Sequence, residues 1–326
     1  MKQIDQLIKF EPILKEKIWG GEKLKTLLDK KSTRNNIGES WEISDVEGDT
    51  SMVVNGTLAG KNLKELISEY KGNLVGDKIY THFGEKFPLL IKYIDAKEAL
   101  SIQLHPHDDL AKKRHNSFGK TEMWYVMQAD QKANLIVGFQ KDVTSEEYLH
   151  HLENKSLTAI LNIDEVKKGD VYFIPTGRVH AIGAGVLLAE IQQTSDITYR
   201  IYDWDRPNPD GTFRDLHTEE AIDAIDYSSK KSYKTVYSSI QNTSSEIVSC
   251  PYFTTNVLPI KGSISLHHAD KDCFVIYMCV SGNVVFEYKN QTEIVKMGET
   301  ILVPACIKNI KITSEESSEL LEVYIK

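Results

Sequence analysis

The sequence predicts a mainly β chain of sandwich or jelly-roll type with a few short helices, on three observations. Short runs rich in branched and aromatic residues, each bounded by turn residues, fill most of the chain. Helical spacing of apolar residues appears only at 62–70, 107–115, 144–163 and 218–226. One strand-turn unit recurs: KKGDVYFIPTGRVHAI (167–182) is echoed by VKMGETILVPACIKNI (295–310), with Gly169, Asp170 and Pro175 falling on Gly298, Glu299 and Pro304, each 129 residues later.

In chain order, NLKELISEY (62–70) has the three- and four-residue apolar spacing of a helix. FPLLIKYID and LSIQLH read as strands, and HDDLAKKRH (107–115) follows a proline as a helix. EMWYVM and ANLIVGF read as strands. TSEEYLHHLENKSLTAILNI (144–163) opens on a Thr or Ser cap followed by acids and reads as one helix. DVYFIP, GVLLAEIQQT and TYRIYDW are strands, and TEEAIDAID (218–226) is capped like the earlier helix. The Ser/Thr-rich segment 232–246 is the linker candidate. Beyond it nearly everything is strand-like, from YFTTNVLPI and SISLHH to IKNIKI and LLEVYI.

A length of 326 residues accommodates two domains, and 41% hydrophobic with 26% charged residues is the balance of a soluble globular protein. A net charge of −8 weighs against a large nucleic-acid footprint. It still allows an anionic small molecule, which a few local cations can capture. MKQIDQLIKFEPILKEK has no apolar signal core, and there is no run of ~18 apolar residues to span a membrane. The expectation is a cytoplasmic protein, monomeric or a weak homo-oligomer, with no nucleic-acid or membrane partner. Cysteines 250, 273, 279 and 306 form no CxxC pair, so buried thiols are expected rather than a metal knuckle or redox motif.

Several polar groups fall on predicted strands. Ser101, Gln103 and His105 share one face of SIQLH because strand side chains alternate. Lys120 and Glu122 share a face, as do Glu190 and Gln192 in LLAEIQQ; His180 follows IPTGRV, and Arg200 lies in TYRIYDWD. Each would be costly to bury unpaired. His105, Glu122 and His180 form a two-histidine, one-carboxylate set suited to a divalent transition metal, with ligands drawn from different strands. The blander readings are a Lys120–Glu122 ion pair, a salt bridge from Arg200 to Asp203 or Asp205, and histidines that merely pack. His82, His150, His151, His217, His267 and His268 fit that last description; His107 and His115 flank the helix after the candidate ligand strand.

SIQLHP (101–106), GKTE (119–122), IPTGRVHAIGAG (174–185) and TYRIYDWDR (198–206), with IWGG (18–21) and IGESWEIS (37–44), resemble the type I mannose-6-phosphate isomerases in their short bacterial form. The resemblance runs in order from about residue 10 to 210 and more loosely beyond. It implies two cupin-type jelly-roll barrels, a catalytic metal-binding one over residues 1–240 and a metal-free one over 241–326. Longer members carry a helical insertion, of which 144–163 would be the remnant. One Zn2+ per chain is implied, with Gln103, His105, Glu122 and His180 at the ligand positions. Arg200 takes the catalytic arginine's position, and Ser101, Lys120 and Glu190 match substrate-pocket positions. The internal repeat sets Asn309 at the place of His180, in keeping with a second barrel that lacks the ligand set.

The implied reaction interconverts mannose 6-phosphate and fructose 6-phosphate through an enediol or enediolate, with no redox change, which suits zinc. Arg200, permanently cationic, would stabilise enediolate charge. Glu190, Lys120 and a metal-bound water are the candidates for the proton carrier; Lys120, Ser101 and Lys92 are candidates for the phosphate. Two other readings share these residues. One is an iron-dependent oxygenase, which the two-histidine, one-carboxylate set also suits; Gln103, Lys120 and Arg200, arranged for an anionic sugar, argue against it. The other is a non-catalytic sugar-phosphate-binding cupin, which loss of Arg200 or a ligand would have favoured.

Overall fold

The computed structural model describes residues 3–208 and 210–326. Strands β1 (Ile13–Gly21) and β2 (Ile37–Ile43) flank α1 (Lys23–Thr26) and precede a hairpin of β3 (Asp45–Val46) and β4 (Asp49–Thr50). Helices α2 (Leu63–Tyr70), α3 (Gly72–Val75) and α4 (Asp77–Phe83) lead into β5 (Leu89–Ala96) and β6 (Ile102–Leu104). Then come α5 (Asp108–His115), β7 (Glu122–Ala129), β8 (Asn134–Phe139), α6 (Ser145–Glu153) and β9 (Leu161–Glu165). β10 (Val171–Ile174), β11 (His180–Ile182), β12 (Val186–Gln193), β13 (Tyr199–Tyr202) and α7 (Thr218–Ile222) follow. The rest is strand: β14 (Ser245–Ser249), β15 (Thr254–His267), β16 (Val275–Ser281), β17 (Asn283–Tyr288), β18 (Gln291–Lys296), β19 (Thr300–Val303) and β20 (Asn309–Tyr324).

The strands form a six-stranded sheet (β1-β2-β5-β12-β7-β10) and a five-stranded one (β13-β6-β11-β8-β9). A seven-stranded sheet takes β14 to β20. The first two stack face to face. Ile94, Trp124, Val126 and Tyr172 of one meet Leu135, Val137 and Ile182 of the other in a shared core.

Alternation gives the six-stranded sheet two buried faces. Ile91, Tyr93, Met123, Tyr125, Leu187, Ala189 and Ile191 point away from the five-stranded sheet. They pack with Leu66, Ile67 and Leu74 of α2 and α3 and with Ile276, Met278, Leu321 and Val323 of the seven-stranded sheet. The Tyr93 hydroxyl reaches the carbonyls of Cys279 and Glu299 at 3.3 and 3.2 Å. The intervening residues Lys92, Trp124 and Glu190 face the opposite way, into a cavity between the first two sheets. The seven-stranded sheet folds on its own core of Leu258, Tyr277, Phe286, Ile301 and Ile312.

The repeat seen in the sequence is a repeat of structure. β10 and β19 begin and end at equivalent positions, each after a glycine with φ of +87°. That backbone conformation favours glycine because a Cβ is strained there. Gly169 N–H donates to Val126 O as Gly298 N–H donates to Cys279 O, at 2.9 and 2.8 Å. The carboxylates of Asp170 and Glu299 close the same turn, accepting from the Lys167 and Lys296 N–H groups at 2.9 and 3.0 Å. At His180 and its counterpart Asn309 the copies differ. His180 pairs across the ladder with Gln103, whereas Asn309 pairs with His267.

Three local expectations need correction. The helix expected over 144–163 ends at Glu153, and Leu161–Glu165 is edge strand β9. The Thr144 capping box starts the helix as expected: Thr144 Oγ1 accepts from Glu147 N–H (3.1 Å) and Glu147 Oε2 from Thr144 N–H (3.0 Å). The Gly262 and Ser314–Ser318 breaks are bulges inside the long strands β15 and β20, not strand ends. The segment expected as a linker is anchored. Thr235 N–H donates to Val171 O (2.8 Å), Tyr233 Oη to Phe139 O (2.9 Å) and Tyr237 Oη to Gly169 O (2.7 Å). All four cysteines are free, with Cys273 and Cys279 buried. Among the described residues no helix is long and apolar enough to cross a membrane.

Candidate metal centre and catalytic cavity

The two stacked sheets bring the predicted groups together. The ladder β13-β6-β11 sets Arg200 and His180 on either side of Gln103. Across the cavity, β12 pairs Glu190 with Lys92 and Trp124, and Gln192 with Glu122. His105 follows the end of β6. One ligand atom each from His105, Glu122 and His180 lies within 4.8 Å of the others, and all three residues are buried.

The imidazoles are held in one tautomer. His105 Nδ1–H donates to Ile197 O at 2.9 Å, and His180 Nδ1–H to Arg178 O at 2.8 Å. Each Nε2 therefore presents a lone pair toward Glu122, at 3.4 Å for His105 and 3.5 Å for His180. His105 Nε2 and Glu122 Oε2 are buried without a hydrogen-bond partner. Orphaned acceptors converging on one point are costly unless something cationic sits among them, so the donor set fits a divalent metal. Gln103 lies beside the trio with Nε2 3.4 Å from His180 Nε2. As a ligand it would turn its oxygen inward, a half-turn of the amide.

Burial, with Lys120 nearby, lowers the His105 pKa to about 3. Burial also lowers His180. Burial opposes ionisation of Glu122, but Lys120 and His105 outweigh it and hold the carboxyl well below its usual range. Neutral imidazoles and an ionised carboxylate are the ligand forms a metal needs. The consequence for stability has a definite sign. With the folded-state pKa of His105 depressed, the unfolded chain binds the proton first, so stability is lost as pH falls from 6.5 toward 3. The melting temperature of metal-free protein should fall steadily on acidification through that window. A flat profile would exclude buried neutral imidazoles.

Every predicted site residue lies at or beside this cavity. Ser101, Gln103, Lys120, His180, Glu190 and Arg200 line it. Lys120 Nζ is 3.6 Å from Glu122 Oε2, so the simple ion pair and the ligand trio coexist. Glu190 accepts from Lys92 Nζ at 3.1 Å and from Trp124 Nε1 at 2.9 Å. Burial and the Glu122 carboxylate raise its pKa. Arg200 Nε donates to Ser101 Oγ (3.3 Å) and Nη1 to Asp215 O (2.8 Å). Its predicted rivals are engaged elsewhere, Asp203 with Arg206 and Arg214, Asp205 with Lys155. His107 caps α5, and His115 bonds the Tyr199 hydroxyl at 2.8 Å.

Sequence reasoning assigned no role to Lys17, Glu39, Trp41 or Arg214, which also line the cavity. Glu39 accepts from Trp41 Nε1 at 2.6 Å and pairs with Lys17 at 3.3 Å. Burial would raise its carboxyl, but Lys92 and Lys17 win and lower it to about 2. The available signal was the spacing of Glu39 and Trp41, two apart and so on one face of β2.

The chain matches two family models, phosphomannose isomerase type I, catalytic domain, over residues 7–133, and mannose-6-phosphate isomerase, cupin domain, over residues 243–325. It is 33% identical to the mannose-6-phosphate isomerase ManA of Bacillus subtilis, covering 93% of this chain and 94% of that one. It is 32% identical to the mannose-6-phosphate isomerase of Streptococcus mutans, covering 90% and 91%. The crystal structure of the Bacillus subtilis mannose 6-phosphate isomerase superposes with a TM-score of 0.88 at 31% identity, over 98% of this chain and 99% of that one. The ordered motifs, the stacked sheets with their buried His–Glu–His trio and these likenesses agree, and the chain belongs to the type I mannose-6-phosphate isomerase family.

Proposed function

We propose that this chain interconverts mannose 6-phosphate and fructose 6-phosphate in the cytoplasm, in its first unit (1–240), with the unit 241–326 as a metal-free partner barrel. The observation that carries this reading is the buried His105–Glu122–His180 trio in a cavity that also holds Lys120, Glu190 and Arg200. The metal is Zn2+, held by the trio and by Gln103 through its amide oxygen. Bound zinc supplies Lewis-acid polarisation of the sugar oxygens without redox chemistry.

The protein's own groups do the rest. A carboxylate oxygen of Glu190 takes the proton from C2 of the open-chain aldose, and O1 gains a proton to give the enediol. Loss of the O2 proton and return of a proton to C1 complete the ketose. A raised pKa suits Glu190 to this traffic, because efficient proton carriers have pKa values near the working pH. Lys92 and Trp124 fix its orientation. Arg200 and Lys120 face the developing charge on O1 and O2, and Ser101 holds the Arg200 guanidinium in place. Lys92 and Lys120 are buried, whereas Lys17 and Arg214 reach solvent and take the phosphate.

A coupled assay for fructose 6-phosphate, run on zinc-loaded and chelator-treated protein, tests the reading. Turnover should appear only in the loaded sample; mannose 6-phosphate bound but never converted would sink it. Glu190→Gln keeps shape and removes basicity, and kcat should drop by ~100-fold or more, within the range for general acid–base catalysis. Wild-type kcat in that variant would remove Glu190 and leave Lys120 and a metal-bound water as the candidates.

A further inference from the structure

Residues 116–121 carry Lys120 up to Glu122 without regular secondary structure. Side chains from three other places fix this loop. Gly119 N–H donates to Asp108 Oδ1 at 2.8 Å. Thr121 N–H donates to Gln193 Oε1 at 2.8 Å, and Thr121 O accepts from Gln193 N–H at 3.1 Å. Gln193 Nε2 donates to the same Asp108 Oδ1 at 3.1 Å. The Tyr252 hydroxyl, between β14 and β15, donates to Asp108 Oδ2.

Only one arrangement of donors satisfies this set. An ionised carboxylate accepts and never donates, so Gln193 must turn its NH2 group to Asp108. Its oxygen is then left for Thr121 N–H. Asp108 thereby selects the Gln193 orientation that latches the loop. The approach is close: a Cβ on Gly119 would stand 2.9 Å from Asp108 N and 3.0 Å from Oδ1. Asp108, Gln193 and Tyr252 are absent from the cavity wall, so they act on the chemistry through the backbone that they hold.

We propose that Asp108 and Gln193 are positioning residues that clamp the backbone on both sides of Lys120, and that Tyr252 extends the clamp into the C-terminal sheet. The role rests on the isomerase reading of the cavity. It matters there because misplacing a reacting group by ~1 Å can cost ~100-fold in rate.

The test uses full-length, zinc-loaded Asp108→Ala, Gln193→Leu, Asp108→Asn and Tyr252→Phe. Asp108→Ala and Gln193→Leu should lose about 10- to 100-fold in kcat, with KM changed far less. Asp108→Asn should stay near wild type, since an amide can offer Oδ1 to Gly119 and Gln193 and Nδ2 to the Tyr252 oxygen. Tyr252→Phe should lie between. A second readout needs no turnover. Metal affinity by chelator competition should weaken ~10-fold in Asp108→Ala and Gln193→Leu, the range for outer-sphere partners, and the visible bands of the cobalt-substituted protein should shift. If wild type binds metal but does not isomerise, the functional reading fails while the cobalt spectra still judge the clamp. Should Asp108→Ala not fold, Gln193→Leu decides. Wild-type kcat, metal affinity and cobalt spectrum in folded Gln193→Leu would overturn the clamp. Asp108→Asn as damaged as Asp108→Ala would overturn the hydrogen-bond assignment.

Discussion

Arg200→Ala is expected to lower kcat by about 100- to 1000-fold while leaving bound metal and fold unchanged, the cost of removing one preorganised donor from developing oxyanion charge. The surroundings of Arg200 make the outcome clean. Its guanidinium donates to a hydroxyl and a carbonyl, not to a carboxylate, so truncation strands no buried anion. Asp203 keeps Arg206 and Arg214. Burial and the neighbouring Arg214 lower its pKa, but the group remains cationic at any pH the enzyme would meet. Arg200→Lys should recover only part of the rate, because an ammonium lacks the planar fork. Steady-state kinetics with metal analysis decide it, and near-normal turnover in Arg200→Ala would remove the residue from the chemistry.

His105→Ala should lose metal and activity together. Metal affinity should fall by more than ~100-fold, exceeding the 10- to 100-fold typical of outer-sphere partners, since a donor atom itself is gone. Glu122 would remain beside Lys120 and His180, so the carboxylate keeps partners and the fold should survive. Equilibrium dialysis against zinc with circular dichroism would separate lost metal from lost structure. A fully loaded His105→Ala protein would place the ion elsewhere.

The three clustered residues were legible because His105 and Glu122 share a face with Gln103 and Lys120 under strand alternation and His180 sits in IPTGRVHAIGAG, and the ordered motifs tied those stretches to one family. Class and strand content followed from short branched runs. Other features left weaker traces. β1 mixes two lysines and a glutamate with isoleucine and tryptophan, so the cavity position of Lys17 is invisible without its partner Glu39. LTAILNI fits helical and strand spacing alike, which is why β9 was read as the end of a helix. The carbonyls of Arg178 and Ile197 orient both imidazoles, yet backbone oxygens carry no residue signature. The clamp on Lys120 is likewise assembled by residues from 108, 193 and 252, and only the fold makes them neighbours.

The six-stranded sheet, with hydrocarbon on one side and chemistry on the other, also restricts how such a gene can change length. A single codon lost inside the Val186–Gln193 strand would carry Glu190 to the greasy side and bring an aliphatic neighbour into the cavity. Insertions and deletions across relatives should therefore collect in the connections between strands, leaving the strands' own residue counts frozen.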